Sequence, residues 1–300
     1  CRINTGTTRL FSGSWTNTMP LEMTTGFGVS SLIWITSLID AKMGPTRRII
    51  DDLRVYFEGI GLAFICYGVP SAADLFKMLD GLAERARLGA RPMIHLDMHG
   101  SKEGLAIAAT GELAPWTSVI PKLQAINLAT KGNLCMVAGV CYALHAIKQI
   151  RISEPSAVHM LIAPEDVVCV GFLEDETVKF YQEVFSSGQV EKAYNDHLSA
   201  ELKVFYSEKL LAVALTKYIR ESCLGKGGAR RRERLLTEIL NNQPNTPENR
   251  RRLRRLLKDL SKPDQALLDK YASTFLAGRP CPFKIGDLLR LVESTNRLTA

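Results

Sequence analysis

Apolar positions in the middle of the chain switch repeatedly between short continuous runs and helical spacing. "GLAFICYGV" (61–69), rich in Ile, Phe, Tyr and Val, has the pattern of a buried strand. Pro70 and Ser71 follow, with Asp74 three residues on, a capping-box-like start for the helix "SAADLFKMLDGLAERARLG" that Gly89 closes. "PMIHLDMHG" (92–100) is a second strand, so the unit is β–α–β with a crossover suited to a parallel pair. The alternation continues. A helix falls within 111–133, and "LCMVAGV" (134–140) is a third apolar strand with Cys141 at its C-terminal end. "YALHAIKQI" reads as the next helix, and "SAVHMLIAP" and "VVCVGFL" (167–173) as further strands. "EDETVKFYQEVFSSG" is an amphipathic helix with Phe180, Val184 and Phe185 on one side, and a long helical stretch runs from about 190 to 222. Upstream, residues 30–58 show helical spacing interrupted by a turn at Gly44–Pro45, whereas the Thr-, Gly- and Ser-rich residues 1–28 carry little periodic signal. The pattern predicts an α/β fold with a mainly parallel sheet flanked by helices.

Charge divides the chain. Residues 226–300 carry 17 Lys/Arg against 8 Asp/Glu, a net +9, while the first 225 residues carry 21 against 23. The basic character therefore belongs to the tail. "GKGGARRRER" (225–234) opens that tail, and Gly225, Gly227 and Gly228 read as a flexible joint. Helical patterns broken at "NNQPNTPE" and "GRPCPF" follow. Three regions are expected: an N-terminal segment (1–60) adjoining the main domain, the α/β domain (61–224) and a basic helical appendage (225–300).

Composition narrows the class. Hydrophobic residues at 46% and charged residues at 23% are those of a soluble globular protein. No apolar run reaches the ~18–20 residues of a membrane helix. Seven cysteines without a CxxC pair do not make a disulfide framework and suit a reducing compartment such as the cytoplasm. The chain begins at Cys1 with no signal-peptide pattern, which leaves room for an upstream portion.

Functional groups gather at the C-terminal ends of parallel strands. Two such ends carry chemistry: His99-Gly100 on one strand and Cys141 on the next. A thiol nucleophile needs an imidazole partner, and the attacked carbonyl needs backbone donors for its oxyanion. His99 can supply the ring, and the N–H groups of Gly100 and Cys141 the donors. A second reading starts from period-2 alternation, which puts His95, Asp97 and His99 on one strand face as three metal ligands of a metallohydrolase. A third leaves these residues as ordinary core.

"PMIHLDMHG" followed some forty residues later by "NLCMVAGVCYA" resembles the caspase-like cysteine peptidases, specifically the bacterial CHAT-type branch. "VVCVGFLEDETVKFYQEVFSSGQVEKAY" (167–194) is similar to that family's strand-then-helix segment, and the resemblance covers roughly residues 60–200. It implies a caspase-like fold and a Cys–His dyad, with His99 as general acid/base, Cys141 as nucleophile, and Gly100 and Cys141 as oxyanion donors. It implies no metal or organic cofactor, and a protease that cleaves a partner protein when triggered, as in bacterial defence or cell death. The family often has a polar residue and Ala before the Cys, where this chain has Gly139 and Val140, and Ser two residues after it, where it has Ala143. These departures keep a non-catalytic binding module of the same fold open. Asp97, Asp166, Glu174 and Asp175 are candidate liners of a pocket for a basic substrate residue.

In the tail, Leu253, Leu256, Leu257 and Leu260 give "NRRRLRRLLKDL" (249–260) an apolar side opposite an Arg-rich one. Such a helix suits nucleic acid, an acidic protein or a membrane surface, and equally a solvated face packed on the main domain. An activating protein or nucleic-acid complex is the partner this region suggests. Aromatic residues for base stacking are absent from it; Tyr271, Phe275 and Phe283 come later.

Overall fold

A computed structural model describes residues 2–8 and 23–298. Strands β1 (Arg2–Thr8) and β2 (Met23–Gly28) form an antiparallel hairpin. The chain then builds a six-stranded sheet. β3 (Ser31–Thr36), α1 (Gly44–Gly59), β4 (Ala63–Gly68), α2 (Ala72–Arg87) and β5 (Pro92–Asp97) come first. A small three-stranded sheet follows, of β6 (His99–Gly100), β7 (Gly104–Ala106) and β8 (Leu113–Pro115). After it come α3 (Trp116–Ala129), β9 (Cys135–Ala138), a 3-10 helix (Ala143–Gln149), β10 (Met160–Pro164), α4 (Val170–Ser187), α5 (Val190–Ala193) and β11 (Leu202–Tyr206). The large sheet has the order β11-β10-β9-β5-β3-β4, all parallel except β11, which runs antiparallel to β10. The fold is thus α/β with a mainly parallel sheet flanked by helices.

Both sheet faces are covered, which is why its strands are apolar without alternation. Ile33, Ile35, Ile94, Leu96, Met136 and Ala138 face α2 and α3. Leu32, Trp34, Met93, Cys135 and Val137 face α1 and α4. α2 begins where expected: the Ser71 hydroxyl accepts from the Asp74 N–H, and Gly89 (φ +102°) ends the turn beyond it.

Four local expectations are corrected. Residues 31–36, expected as helix, are the inner strand β3, between β5 and the edge strand β4; a strand buried on both faces lacks the period that separates strand from helix. Residues 170–173, expected as strand, open α4. Leu173, Thr177, Phe180, Tyr181 and Val184 recur at helical spacing, and this outweighs the β-propensity of the valines, with Val167 and Val170 exposed. The helical stretch expected over 190–222 is interrupted by β11, which completes the sheet edge beside β10. The glycine joint is no joint. Gly225, Gly227 and Gly228 lie in the first turn of α7 (Gly225–Leu240). A Cβ on Gly227 would fall 2.0 Å from the Glu221 carbonyl oxygen and one on Gly228 2.4 Å from that of Cys223, so glycine here permits close packing.

Before α7, α6 (Ser207–Tyr218) ends in a π-type turn (Ile219–Cys223). After it come α8 (Pro247–Leu260), α9 (Gln265–Phe275) and α10 (Ile285–Leu298). α6 shares a core with the last two helices through Leu211, Leu215, Ile219, Phe275, Leu288 and Leu291. α7 and α8 form a hairpin around Leu236, Leu253 and Leu257. One buried ionic cluster ties the C-terminal helices to the sheet. Glu208 is fully buried, its carboxylate 3.2 Å from His159 Nδ1 and accepting from Arg279 Nε at 2.9 Å. Arg279 also donates to the Gly26 and Gly132 carbonyls. Burial alone would push Glu208 up, but His159 and Arg279 outweigh it and hold the carboxyl at about 2.

Arg279→Met leaves that carboxylate buried without its cation, and is expected to lower the unfolding free energy by about 3–5 kcal/mol in urea titrations at pH 7. Because the folded value lies below the ordinary 4.5, the wild-type contribution is present at neutral pH and is lost as pH falls from about 4.5 toward 2.

Candidate active site

β5 and β9 are paired from Met93–Cys135 to Leu96–Ala138, and the Gly139 N–H extends the ladder by donating to the Leu96 carbonyl at 2.8 Å. Beyond this the chain turns sharply. Tyr142 takes φ +61° and donates its N–H to the Asp166 carbonyl, and the Ala143 N–H closes on the Val140 carbonyl. Cys141 stands at the start of that turn, half-buried, its free thiol side packed against the α1/α4 core that includes Phe172 and Leu173. Among the described residues its backbone N–H has no acceptor.

β6 brings His99 and Gly100 to the same place. The Ser101 N–H donates to the Gly104 carbonyl, and β6 pairs His99–Ala106 and Gly100–Leu105. In this antiparallel alternation Gly100–Leu105 is the non-bonded pair, so the Gly100 N–H points out of the free edge of β6. A Cβ on Gly100 would lie 2.3 Å from Val140 Cγ1 and 2.8 Å from the Cys141 carbonyl oxygen. No other residue fits this approach. The strand ends carrying His99-Gly100 and Cys141 are therefore in van der Waals contact.

The His99 ring is exposed, with Nε2 3.2 Å from Lys42 Nζ. Desolvation against the strand end, and then the Lys42 ammonium, push it below the ordinary imidazole value, which leaves the ring neutral and basic at pH 7. Sequence patterning offers no signal for Lys42, which arrives from the turn before α1. It also passed over His145, half-buried one turn after Cys141, whose ring lies 6.1 Å from that of Tyr142 and whose Nδ1 is 3.1 Å from Lys148 Nζ.

His95, Asp97 and His99 do not converge on a metal position, which corrects the three-ligand reading. The main strand stops at Asp97, and His99 belongs to a different sheet. His95 is buried, stacked on Trp34 at 3.7 Å with Nδ1 2.8 Å from the Tyr181 hydroxyl, and burial pushes it down to about 3. It is a neutral core imidazole. Among the described residues no group of three or more His, Cys, Asp or Glu could hold a metal ion.

Of the acidic candidates, Asp166 and Asp175 are exposed, and Glu174 is ion-paired with Arg48 across α1 and α4. Asp97 is the unusual one. It sits beside Gly139 on the Cys141 side of the sheet and accepts from the Thr46 hydroxyl at 2.6 Å. Burial raises it to about 6, against the pull of that hydrogen bond and of the nearby Trp34 indole, whose N–H falls short of hydrogen-bond geometry. No family model matches the chain, and no curated protein matches it significantly.

Two outcomes follow from these environments. Lys42→Met removes the cation facing His99 and should raise the His99 pKa, read from its ring C–H shifts in an NMR titration. Asp97 keeps its proton to higher pH folded, at about 6, than at its ordinary 3.8, so its contribution favours the fold at low pH and is lost as pH rises through 4–6. Asp97→Asn should accordingly be more stable than wild type at pH 7.5, by up to about 3 kcal/mol in urea titrations, with the gap closing toward pH 4.

Proposed function

We propose that the chain is a caspase-like cysteine endopeptidase of the CHAT type, with a His99–Cys141 dyad. The observation that carries the reading is the contact of Gly100 with Val140 and the Cys141 carbonyl. It brings the backbone of His99-Gly100 against the turn that carries the free, half-buried Cys141 thiol, and it supports a pair of oxyanion donors in the Gly100 and Cys141 N–H groups at the carboxyl edge of the sheet.

In this mechanism the neutral His99 imidazole takes the Cys141 thiol proton on its unprotonated ring nitrogen. The thiolate attacks a peptide carbonyl carbon, and the Gly100 and Cys141 N–H groups receive the tetrahedral oxyanion. The intermediate collapses with cleavage of the C–N bond, and the His99 imidazolium gives its proton to the leaving amine. Water then attacks the thioester, His99 accepts its proton, and the acid product and the thiol are released. No step calls on a metal or organic cofactor. The substrate is a partner protein, cleaved in a regulated pathway such as bacterial defence or cell death.

The test is cleavage of proteins encoded beside this chain by wild type, Cys141→Ala, His99→Ala, His145→Ala and Cys135→Ala. Cys141→Ala should abolish cleavage and His99→Ala should slow it about 10²–10⁴-fold. His145→Ala and the buried Cys135→Ala should retain it. Cleavage surviving Cys141→Ala overturns the mechanism, and loss in His145→Ala with retention in His99→Ala reassigns the base.

A further inference from the structure

The α7–α8 region (225–260) carries eleven Lys/Arg against four Asp/Glu, a net +7 equal to that of the whole chain. Packing arranges this charge. On α8, Arg251, Arg254, Arg255 and Lys258 recur at three- and four-residue spacing and lie opposite the buried Leu253 and Leu257. On α7, Gly227, Arg230, Arg231 and Arg234 follow the same spacing opposite the buried Leu236. Glu233 accepts a two-pronged hydrogen bond from Arg254 at 3.0 Å on each arm, which joins the two rows across the flank of the hairpin. Arg230, Arg231, Arg251 and Arg255 have no ion-pair partner among the described residues.

The α7 row is solvent-accessible but not isolated. It lines an open cavity of about 670 Å³ against the end of α6, together with Tyr218, Glu221 and Ser222. The cavity's carboxylate, Glu221, is paired with Arg220 at 3.2 Å, so the arginines set its sign. The Arg231 guanidinium lies 5.2 Å from the centre of the half-buried Tyr218 ring. A volume of this size is that of an ordinary ligand pocket.

We propose that this cavity takes one nucleotide of a single-stranded nucleic acid, its phosphate held by Arg230, Arg231 and Arg234 and its base against Tyr218. The arginines of α8 take the phosphates that follow. Arg forks match phosphate oxygens two at a time, and an aromatic ring supplies the stacking platform that sequence-tolerant single-strand binders use. An acidic polypeptide would satisfy the exposed arginine row, but only a single-stranded nucleic acid brings an anion and a flat aromatic base in every repeat unit. A duplex keeps its bases stacked inside and would leave the cavity empty. This site is separate from the dyad, and the inference does not rest on the protease reading.

The test is fluorescence anisotropy of a labelled 20-nucleotide oligo-U RNA on the full chain, from 50 to 200 mM KCl, with thermal melts confirming that each variant is folded. Arg230→Ala/Arg231→Ala/Arg234→Ala should weaken binding at least tenfold and reduce the slope of log affinity against log salt by about 2, since each single-strand phosphate contact contributes about 0.7. Tyr218→Leu, which keeps the apolar bulk, should weaken it at least fivefold without changing that slope. The charge-preserving triple Arg→Lys variant should also bind more weakly, because the forks are lost. Absence of binding at 50 mM KCl overturns the proposal. So does wild-type affinity in either triple variant, which would leave only a diffuse field, and so does displacement of the RNA by an equal charge of polyglutamate, which would mark an acidic-protein surface.

Discussion

The parallel pairing of β5 with β9 governs the rest of the molecule. Because the two strands run the same way, both chains leave the sheet at one edge, and the segments after them are forced together. One leaves as His99-Gly100, the other as the Val140–Tyr142 turn. Their closest approach is at Gly100, where any side chain would strike Val140 and the Cys141 carbonyl. The small β6–β7–β8 sheet holds this approach in register. Its Ser101–Gly104 bond fixes which pairs exchange hydrogen bonds, and so which way the Gly100 N–H points. Positioning here is a consequence of topology and one missing Cβ. Ion pairing plays no part in it.

Polar groups buried at the two edges of the sheet are graded by what meets them. His95 has an aromatic stack and a hydroxyl, and is kept neutral. Glu208, at the opposite edge beside the start of β10, has two basic side chains and stays charged. Asp97 has only the Thr46 hydroxyl and a nearby indole outside hydrogen-bond geometry, and it is pushed toward neutrality. Three buried ionisable groups thus reach three protonation behaviours on one desolvation cost, decided by partners that come from α1, α4 and the C-terminal helices.

The β4–α2–β5 unit was legible from the chain because its signals are local: a Ser cap, a closing Gly and runs of β-branched residues. The start of α4 was misread because its valines favour strand although Val167 and Val170 are exposed, and β11 because a five-residue edge strand is short beside the helices that flank it. β3 was misread for another reason. A strand covered on both faces has no alternation, and a short apolar run then fits helix or strand equally. His99, Gly100 and Cys141 could be named from strand ends, but not what faces them. Lys42 and Thr46 reach the site from about fifty residues upstream, and Tyr218 reaches the arginine cavity from before the glycines that seemed to end the domain. His145, one turn after Cys141, carried only a lone-histidine signal. These are tertiary neighbours, and no spacing rule in the sequence encodes them.

The distribution of charge gives the architecture a division of labour. A strongly positive surround would hold an imidazole unprotonated, favour a thiolate and bias which ligands approach. Here the first 225 residues are close to neutral, and Lys42 is the cation that touches His99. The positive charge is placed instead on a hairpin whose apolar seam is its own, Leu236 against Leu253 and Leu257. Its arginines are therefore not used up in packing, and salt screens their field within about 10 Å at 0.1 M. A chain arranged this way can attract a polyanion at one end without altering the titration of the groups at the sheet edge. α6 is one packed connection from that end to the sheet, carrying Tyr218 at the cavity and Glu208 at the buried ionic cluster beside the start of β10.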